Sequence, residues 1–469
     1  MKLSFHGAAR MVTGSKHLLE LNDGTKILFD CGMFQGNPKE AEALNLVWGF
    51  KPSEIDFLIL SHAHIDHCGL IPKLIADGYR GKVFCTPATF DLAQILLLDS
   101  AHIQKQDAFY NNKRREKRGK KPIEALYDEA DVTRALSHFE LVEYGEQKEL
   151  KTGVSFVFTD AGHIIGSAVV HVNITDENKK TTQVTFSGDV GRYNDELLRS
   201  PETFPQADYL ILESTYGDSL HEDATVKDKK LLDVIIETCV NKKGKLVIPA
   251  FSVGRTQELI YALNRLEISK ALPDIDFFVD SPLSVKATDV MKNHQDELNE
   301  KFQAYLKRDK DPFGFKRLHY TQNVEESKAI NMRKDPCVII SASGMADAGR
   351  VKHHIKNVIS NSRNTILIIG YCEPRSLGGK LMRNYRDVTI FGMPYEVKAE
   401  IQVMRSMSAH GDYEDLCQFI ACQNPKAVKK LFLVHGEYDV QQIFRSKLAK
   451  KGFCEIEIPE QHQIFNLSA

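Results

Sequence analysis

Residues 2–6 and 17–30 alternate apolar and polar positions around a turn at Asn22-Asp23-Gly24. They predict a β-hairpin whose second strand, Ile27-Leu28-Phe29, ends at Asp30. Phe57 to Leu60 is instead a continuous apolar run, the pattern of a buried strand. It stops at Ser61. Leu70, Ile71, Leu74 and Ile75 then recur at helical spacing up to Gly78, a C-terminal stop, with Pro72 near the helix start, where a missing N–H costs least. Residues 88–138 read as helix-rich. Strand patterns follow at 154–158, 183–186 and 209–212, and just beyond them stand Asp160 and His163, Asp189, and Glu213.

From about 222 to 392 the pattern becomes regular strand–helix alternation. Helices near 226–241, 254–267, 284–306 and 348–359 intersperse strands at 245–251, 276–280, 337–342, 365–370 and 387–392, which predicts a doubly wound domain. After 395 the earlier pattern returns. A strand over 396–407 ends near His410, a helix covers 413–423, a strand at 431–434 ends in His435, and a helix and a final strand at 454–458 close the chain. The economical arrangement is an α/β protein with one domain split between 1–215 and 395–469 and a second domain, 216–394, inserted into it.

A length of 469 residues agrees with two domains. A net charge of −2 argues against general coating of a polyanion, so any nucleic-acid contact must come from a local patch. Lys113 to Lys121, KRREKRGKK, is the most basic run, read either as a solvated helix end or as a phosphate-facing edge. No apolar run reaches the ~18 residues of a membrane span, and the N-terminus lacks a signal-peptide core. Nine cysteines without a Cys-x-x-Cys pair fit reduced thiols in a cytoplasmic enzyme.

The chemistry gathers at strand ends. His62, His64, Asp66 and His67 crowd one strand-to-helix turn, a set of nitrogen and oxygen donors suited to zinc. His62, His64, His163 and Asp189 would surround one ion, and Asp66, His67, Asp189 and His435 a second, with Asp189 between them. Two such ions activate a water and stabilise charge on a phosphoryl oxygen. Asp30 would orient a motif histidine. Glu213 beside His410 would favour a protonated imidazole able to act as general acid, so Asp66, Glu213 and His410 form the catalytic set. In the second domain the polar turns after strands supply Ser252, Arg255, Ser281, Ser343, Gly344 and Arg350 as candidate substrate contacts, with ordinary helix capping as the alternative.

These residues resemble the metallo-β-lactamase superfamily and, within it, the β-CASP nucleases, over essentially the whole chain. The resemblance is carried by Asp30, His62-Ala63-His64-Ile65-Asp66-His67, His163 and Asp189. Further motifs are Glu213 in LILESTYGD, His410 in SAHGD and His435 in LVHGE, with IPAFSVGRTQEL, DSPLSVKAT and SASGMADAGRVKHHI as flanking text. It implies an αββα sandwich interrupted by a doubly wound β-CASP domain, two zinc ions per chain, and single-stranded RNA threading a cleft. Cleavage would be endonucleolytic, with a hydroxide bridging the ions and His410 as general acid. His435 stands where DNA-directed members tend to carry valine, so the resemblance favours RNA.

Two features depart from the relatives. GYCEPRSLGGKL at 370–381 brings Glu373 and Pro374 into a segment that is usually neutral there, and no N-terminal RNA-binding extension is expected. The rival readings are a hydrolase of the same fold acting on DNA or on a small ester or phosphodiester, and an RNA-binding scaffold subunit. No membrane partner is expected, and the chain would be a monomer or a homodimer.

Overall fold

The computed structural model describes residues 1–36, 38–117, 119–221, 227–370, 372–404 and 407–468. Arg118 of the basic run, Val226 at the start of a predicted helix, Tyr371 of the divergent segment, and Arg405 and Ser406 of a predicted strand lie outside them. The chain divides into two compact units, one made of 1–193, 199–220 and 410–469, the other of 194–198 and 221–409.

The first unit holds two seven-stranded sheets. Hairpin strands Lys2–Gly7, Lys16–Glu20 and Lys26–Phe29 pair antiparallel, and Phe57–Ile59, Lys82–Cys85 and Phe139–Leu141 extend that sheet in parallel. The second sheet joins Lys148–Lys151, Val154–Asp160, Ala168–Thr175, Thr181–Phe186, Tyr209–Glu213, Lys430–Val434 and Ile456–Glu457. The alternation read from the sequence explains how the sheets stack, because successive side chains of a strand point to opposite faces. Phe5, Ile27, Phe29 and Ile59 of one sheet meet Phe156, Val170, Phe186 and Ile211 of the other in a shared core. Leu210, Leu212, Leu431 and Leu433, one position out of phase, pack instead with Leu416, Phe419, Phe444 and Leu448 of helices Tyr413–Phe419 and Tyr438–Lys450. Helices Ile65–Cys68, Ile71–Ala76, Pro87–Glu116 and Glu129–Leu136 follow strands of the first sheet, completing an αββα sandwich. Its edge is closed by Ile464–Asn466, which pairs antiparallel with Lys2–Gly7 and which the short polar tail gave no reason to expect.

The second unit is a six-stranded, all-parallel sheet. Four elements differ from the sequence reading. The predicted helix 284–306 breaks into Pro282–Asn293, a short turn, and Glu300–Leu306, with Asn299 capping the second piece. Leu318–Thr321 is an added edge strand. Asp387–Ile390 leaves the alternation and pairs only with Met393–Glu396 in a two-stranded hairpin. The largest difference concerns Glu400–Val403, which was expected in the split domain. It pairs in parallel with Thr365–Ile368 of the inserted sheet, so the chain returns to the first unit near 410 rather than 395. Apolar alternation alone does not say which sheet a strand joins. Among the described residues no helix is long and apolar enough to cross a membrane, and all nine cysteines are free thiols.

Candidate metal centre

The strands of the first unit bring Asp30, His62, His163, Asp189, Glu213 and His435 to one place, whereas Asp160 accepts Gly162 N–H at 2.8 Å. His62 and His64 follow strand Phe57–Ile59, and Asp66 and His67 lie in the single-turn helix Ile65–Cys68, which begins just after His64. The turn is held against residues 31–33, where Cys31 N–H donates to His67 O at 2.7 Å and Met33 N–H to Ile65 O at 2.9 Å. Only glycine fits between these contacts, since a Cβ on Gly32 would stand 1.6 Å from Asp66 O. Asp30 and His435 both adopt left-handed backbone, with φ of 58° and 51°. That conformation costs an L-residue about 1–2 kcal/mol and is retained where the surroundings fix it.

His62 Nε2 lies 3.1 Å from His64 Nδ1, which lies 3.2 Å from His163 Nε2. Asp189 Oδ2 stands 3.5 Å from His62 Nε2 and 3.6 Å from His163 Nε2. Donors about 2.0–2.1 Å from a tetrahedral zinc stand about 3.3–3.4 Å from one another, so these four atoms have the spacing of one coordination shell. A second group shares the same oxygen. His67 Nε2 is 3.3 Å from Asp189 Oδ2 and 3.2 Å from His435 Nε2, and Asp66 Oδ2 is 3.4 Å from His435 Nε2. Among the described residues the buried Asp189 Oδ1 accepts no hydrogen bond, with His435 Nδ1 standing 3.5 Å from it. A buried carboxylate oxygen left without a donor is costly unless a cation compensates it, and the converging imidazole nitrogens cannot all donate to one another. The residues fit metal binding.

The outward-facing nitrogens of His67, His62 and His435 each meet an oxygen. Asp30 Oδ2 accepts His67 Nδ1–H at 2.6 Å. It also accepts the hydroxyls of Ser61 at 3.0 Å and Ser15 at 3.1 Å, while its other oxygen takes Ser61 N–H at 2.8 Å. Ser61 Oγ, its proton given to Asp30, lies 3.1 Å from His62 Nδ1. Thr215 Oγ1 lies 3.0 Å from His435 Nδ1. Ser15, Ser61 and Thr215 carried no signal in the sequence beyond a small hydroxyl near a site residue. Burial pushes His64 down to about 4 and His62 well below the usual histidine range, keeping both rings neutral and able to bind a cation.

Glu213 ends strand Tyr209–Glu213 completely buried. Its Oε1 accepts Val190 N–H at 2.8 Å and faces His410 Nδ1 at 3.0 Å, and its Oε2 accepts Thr215 N–H at 3.0 Å. Burial alone would lower His410, but the Glu213 carboxylate, helped by Asp189, outweighs it and holds the imidazole above its ordinary value. His410 Nδ1 is 3.9 Å from Asp189 Oδ2, farther than His62 Nε2 or His163 Nε2.

The second-unit candidates fall into two kinds. Strands Lys245–Pro249, Asp276–Asp280 and Cys337–Ser341 are neighbours in the sheet, and Ser252, Ser281 and Ser343 follow their carboxyl ends. Ser281 caps the next helix through Ser284 N–H at 3.2 Å, and Gly344 leaves room for the Phe251 ring. Of the two arginines, Arg255 is buried and Arg350 half-buried, and both have protein partners. Arg255 pairs with Glu258 and donates to Met407 O at 2.8 Å, and Arg350 donates to Asp280 Oδ1 at 2.6 Å and Gln322 O at 2.7 Å. In the divergent segment, Glu373 Oε2 accepts Arg375 N–H at 2.8 Å and Ser376 caps helix Leu377–Met382, so the added acid serves a local turn.

Comparison with known proteins matches three family models in succession. Residues 18–210 match a metallo-beta-lactamase superfamily domain, 256–381 a Beta-Casp domain, and 394–459 a Zn-dependent metallo-hydrolase RNA specificity domain. Ribonuclease TTHA0252 of Thermus thermophilus is 34% identical over 452 residues, covering 96% of this chain and 97% of that protein. An RNase J-like protein of Methanocaldococcus jannaschii is 30% identical, covering 93% and 92%. Cleavage and polyadenylation specificity factor 73 of Drosophila melanogaster is 28% identical, covering 98% of this chain and 63% of its own.

Proposed function

The chain belongs to the β-CASP family of metallo-β-lactamase-fold hydrolases, and from that premise we propose that it is a two-zinc ribonuclease that hydrolyses phosphodiester bonds within single-stranded RNA. The observation that carries the reading is the shared oxygen, Asp189 Oδ2, lying 3.3–3.6 Å from donors of both histidine groups. His62, His64 and His163 would hold one ion, Asp66, His67 and His435 the other, with Asp189 common to both. Ions bound there supply Lewis acidity, which activates a water and offsets charge on the phosphoryl oxygens.

The protein's own part is positioning and proton delivery. Asp30, Ser61 and Thr215 keep the outer nitrogens of His67, His62 and His435 engaged, so their inner nitrogens face the centre as lone pairs. Glu213 fixes the His410 ring through Nδ1, which leaves Nε2 to give a proton to the departing ribose oxygen. His410 is assigned the acid's role rather than a ligand's because the nitrogen it turns toward Asp189 Oδ2, at 3.9 Å, is the Nδ1 that Glu213 engages. The hydroxyls of Ser252, Ser281 and Ser343, at the carboxyl edge of a parallel sheet, are candidates for contacts to the RNA backbone. RNA is favoured by the names of the relatives and by the histidine at 435.

The test is incubation of the zinc-loaded protein with end-labelled single-stranded RNA and DNA of one sequence, each with free and blocked 5′ ends. Internal cuts in RNA are expected irrespective of the block, with 5′-phosphate products. Cutting confined to DNA, or no cutting of either polymer, would overturn the proposal.

A further inference from the structure

Helix Pro87–Glu116 is 30 residues long, about 45 Å at 1.5 Å per residue, and only its first half is anchored. Ala88, Leu92, Ala93, Leu96, Leu97 and Ala101 are buried. From His102 to Lys121, every residue whose burial is described is half-buried or exposed. Such a stretch has no packing use for large rings, yet Phe109 and Tyr110 are 55% and 62% exposed. Their centroids are 5.5 Å apart, and Lys113 Nζ sits 4.2 Å over the Phe109 ring. Seven of the nine residues from Lys113 to Lys121 are basic, in a chain whose net charge is −2.

The surface is built, not frayed. Gly119, with φ of 61°, turns the chain back, and its N–H and that of Lys120 close the helix end on Glu116 O and Arg115 O, each at 3.0 Å. The returning segment is pinned to the helix by two bonds between Asn112 and Ile123, both 2.8 Å, by Arg115 Nε to Lys121 O at 2.6 Å, and by Leu126 N–H to Gln104 Oε1 at 3.0 Å. Lys120 and Lys121 are thereby held beside the helix. Interaction with the helix dipole accounts for one or two cations in the last turn, but neither for this number nor for the rings. Exposed aromatics interleaved with clustered cations are the chemistry of a single-stranded polynucleotide surface, in which bases stack on rings and phosphates meet ammonium and guanidinium groups.

We propose that the outer half of this helix, with the segment folded back on it, is an additional contact surface for single-stranded RNA, made of residues that take no part in the metal centre. It rests on the ribonuclease reading for the identity of the polymer.

The probe is fluorescein-labelled U30, bound by the full-length zinc-loaded protein carrying His410→Ala to stop cleavage and read by anisotropy across a range of salt. Phe109→Ala/Tyr110→Ala should weaken binding by about tenfold or more, the loss expected for one or two stacked bases. Lys113→Glu/Lys117→Glu/Lys120→Glu should weaken it and flatten the dependence of log affinity on log salt by about 0.7 for each phosphate left without its cation. Both variants should keep the parent melting temperature. Unchanged U30 affinity in both overturns the inference, as does unchanged U30 affinity with lost binding of an acidic peptide or of anionic vesicles. If U30 binding depends on these residues but the chain with His410 restored never cuts it, the inference stands and the ribonuclease reading falls.

Discussion

Thr215 Oγ1 meets His435 at two atoms, 3.1 Å from its carbonyl oxygen and 3.0 Å from its Nδ1. The hydroxyl has one proton, and the carbonyl can only accept it. Both approaches are hydrogen bonds only if Nδ1–H donates back to Oγ1, which leaves Nε2 as the lone-pair nitrogen facing His67 and Asp66. Thr215 thus sets the tautomer that a metal ligand requires. Thr215→Val, which keeps the shape and removes the hydroxyl, should weaken binding of the second zinc by about 10–100-fold, and Thr215→Ser should restore it. Competition with a chelating dye reads the affinity. Equal affinities for the Val variant and the parent would show that Thr215 has no such role.

His410→Ala should leave zinc content intact while slowing cleavage by about 10²–10⁴-fold, the usual worth of a positioned acid. Elemental analysis beside single-turnover cleavage separates the roles. A loss of metal along with activity would make His410 a ligand.

Glu213 is the charge beside His410 that persists once cations neutralise Asp189. Replacing it with an uncharged amide removes what holds the imidazole up against burial, so in Glu213→Gln the His410 value falls. A general acid works while protonated, so the alkaline limb of the kcat profile should move to lower pH. The pH–rate profile of the variant beside that of the parent checks this. An unmoved alkaline limb would mean that His410 does not report there.

Lys16 is wholly buried, donating to Gly14 O at 2.9 Å and Gly32 O at 2.6 Å, and burial pushes its ammonium down to about 7. An unfolded lysine stays protonated to about pH 10.4. Between these values the unfolded chain binds the extra proton, so stability gains with rising pH. The melting temperature of the parent should therefore rise relative to Lys16→Met from pH 7 to pH 10. Parallel curves would mean that Lys16 titrates normally.

Much of the site was legible in the sequence, because its residues sit at strand ends, and a strand end is marked by the stop of an apolar run. Asp30, His62, Asp189, Glu213 and His435 were all readable in that way. Sheet membership was not, since the alternation of Glu400–Val403 suits either unit and only its pairing with Thr365–Ile368 decides. The arginines' protein partners were hidden for a related reason. Arg255 and Arg350 lie in turns that suit an anion, but their partners Glu258 and Asp280 are set by packing at three and seventy positions' remove. The hydroxyl supports were silent because Ser61 and Thr215 matter through single atoms, and no pattern of residue types records where a hydroxyl proton goes.

On the two-zinc reading, two ions sharing Asp189 are both needed. Protein stripped by a chelator is titrated with zinc, and cleavage of labelled RNA is followed at each addition. Negligible cutting without metal, a steep rise, and a break at two ions per chain are the predicted result. Full activity in the stripped protein, or a break at one ion, would contradict it.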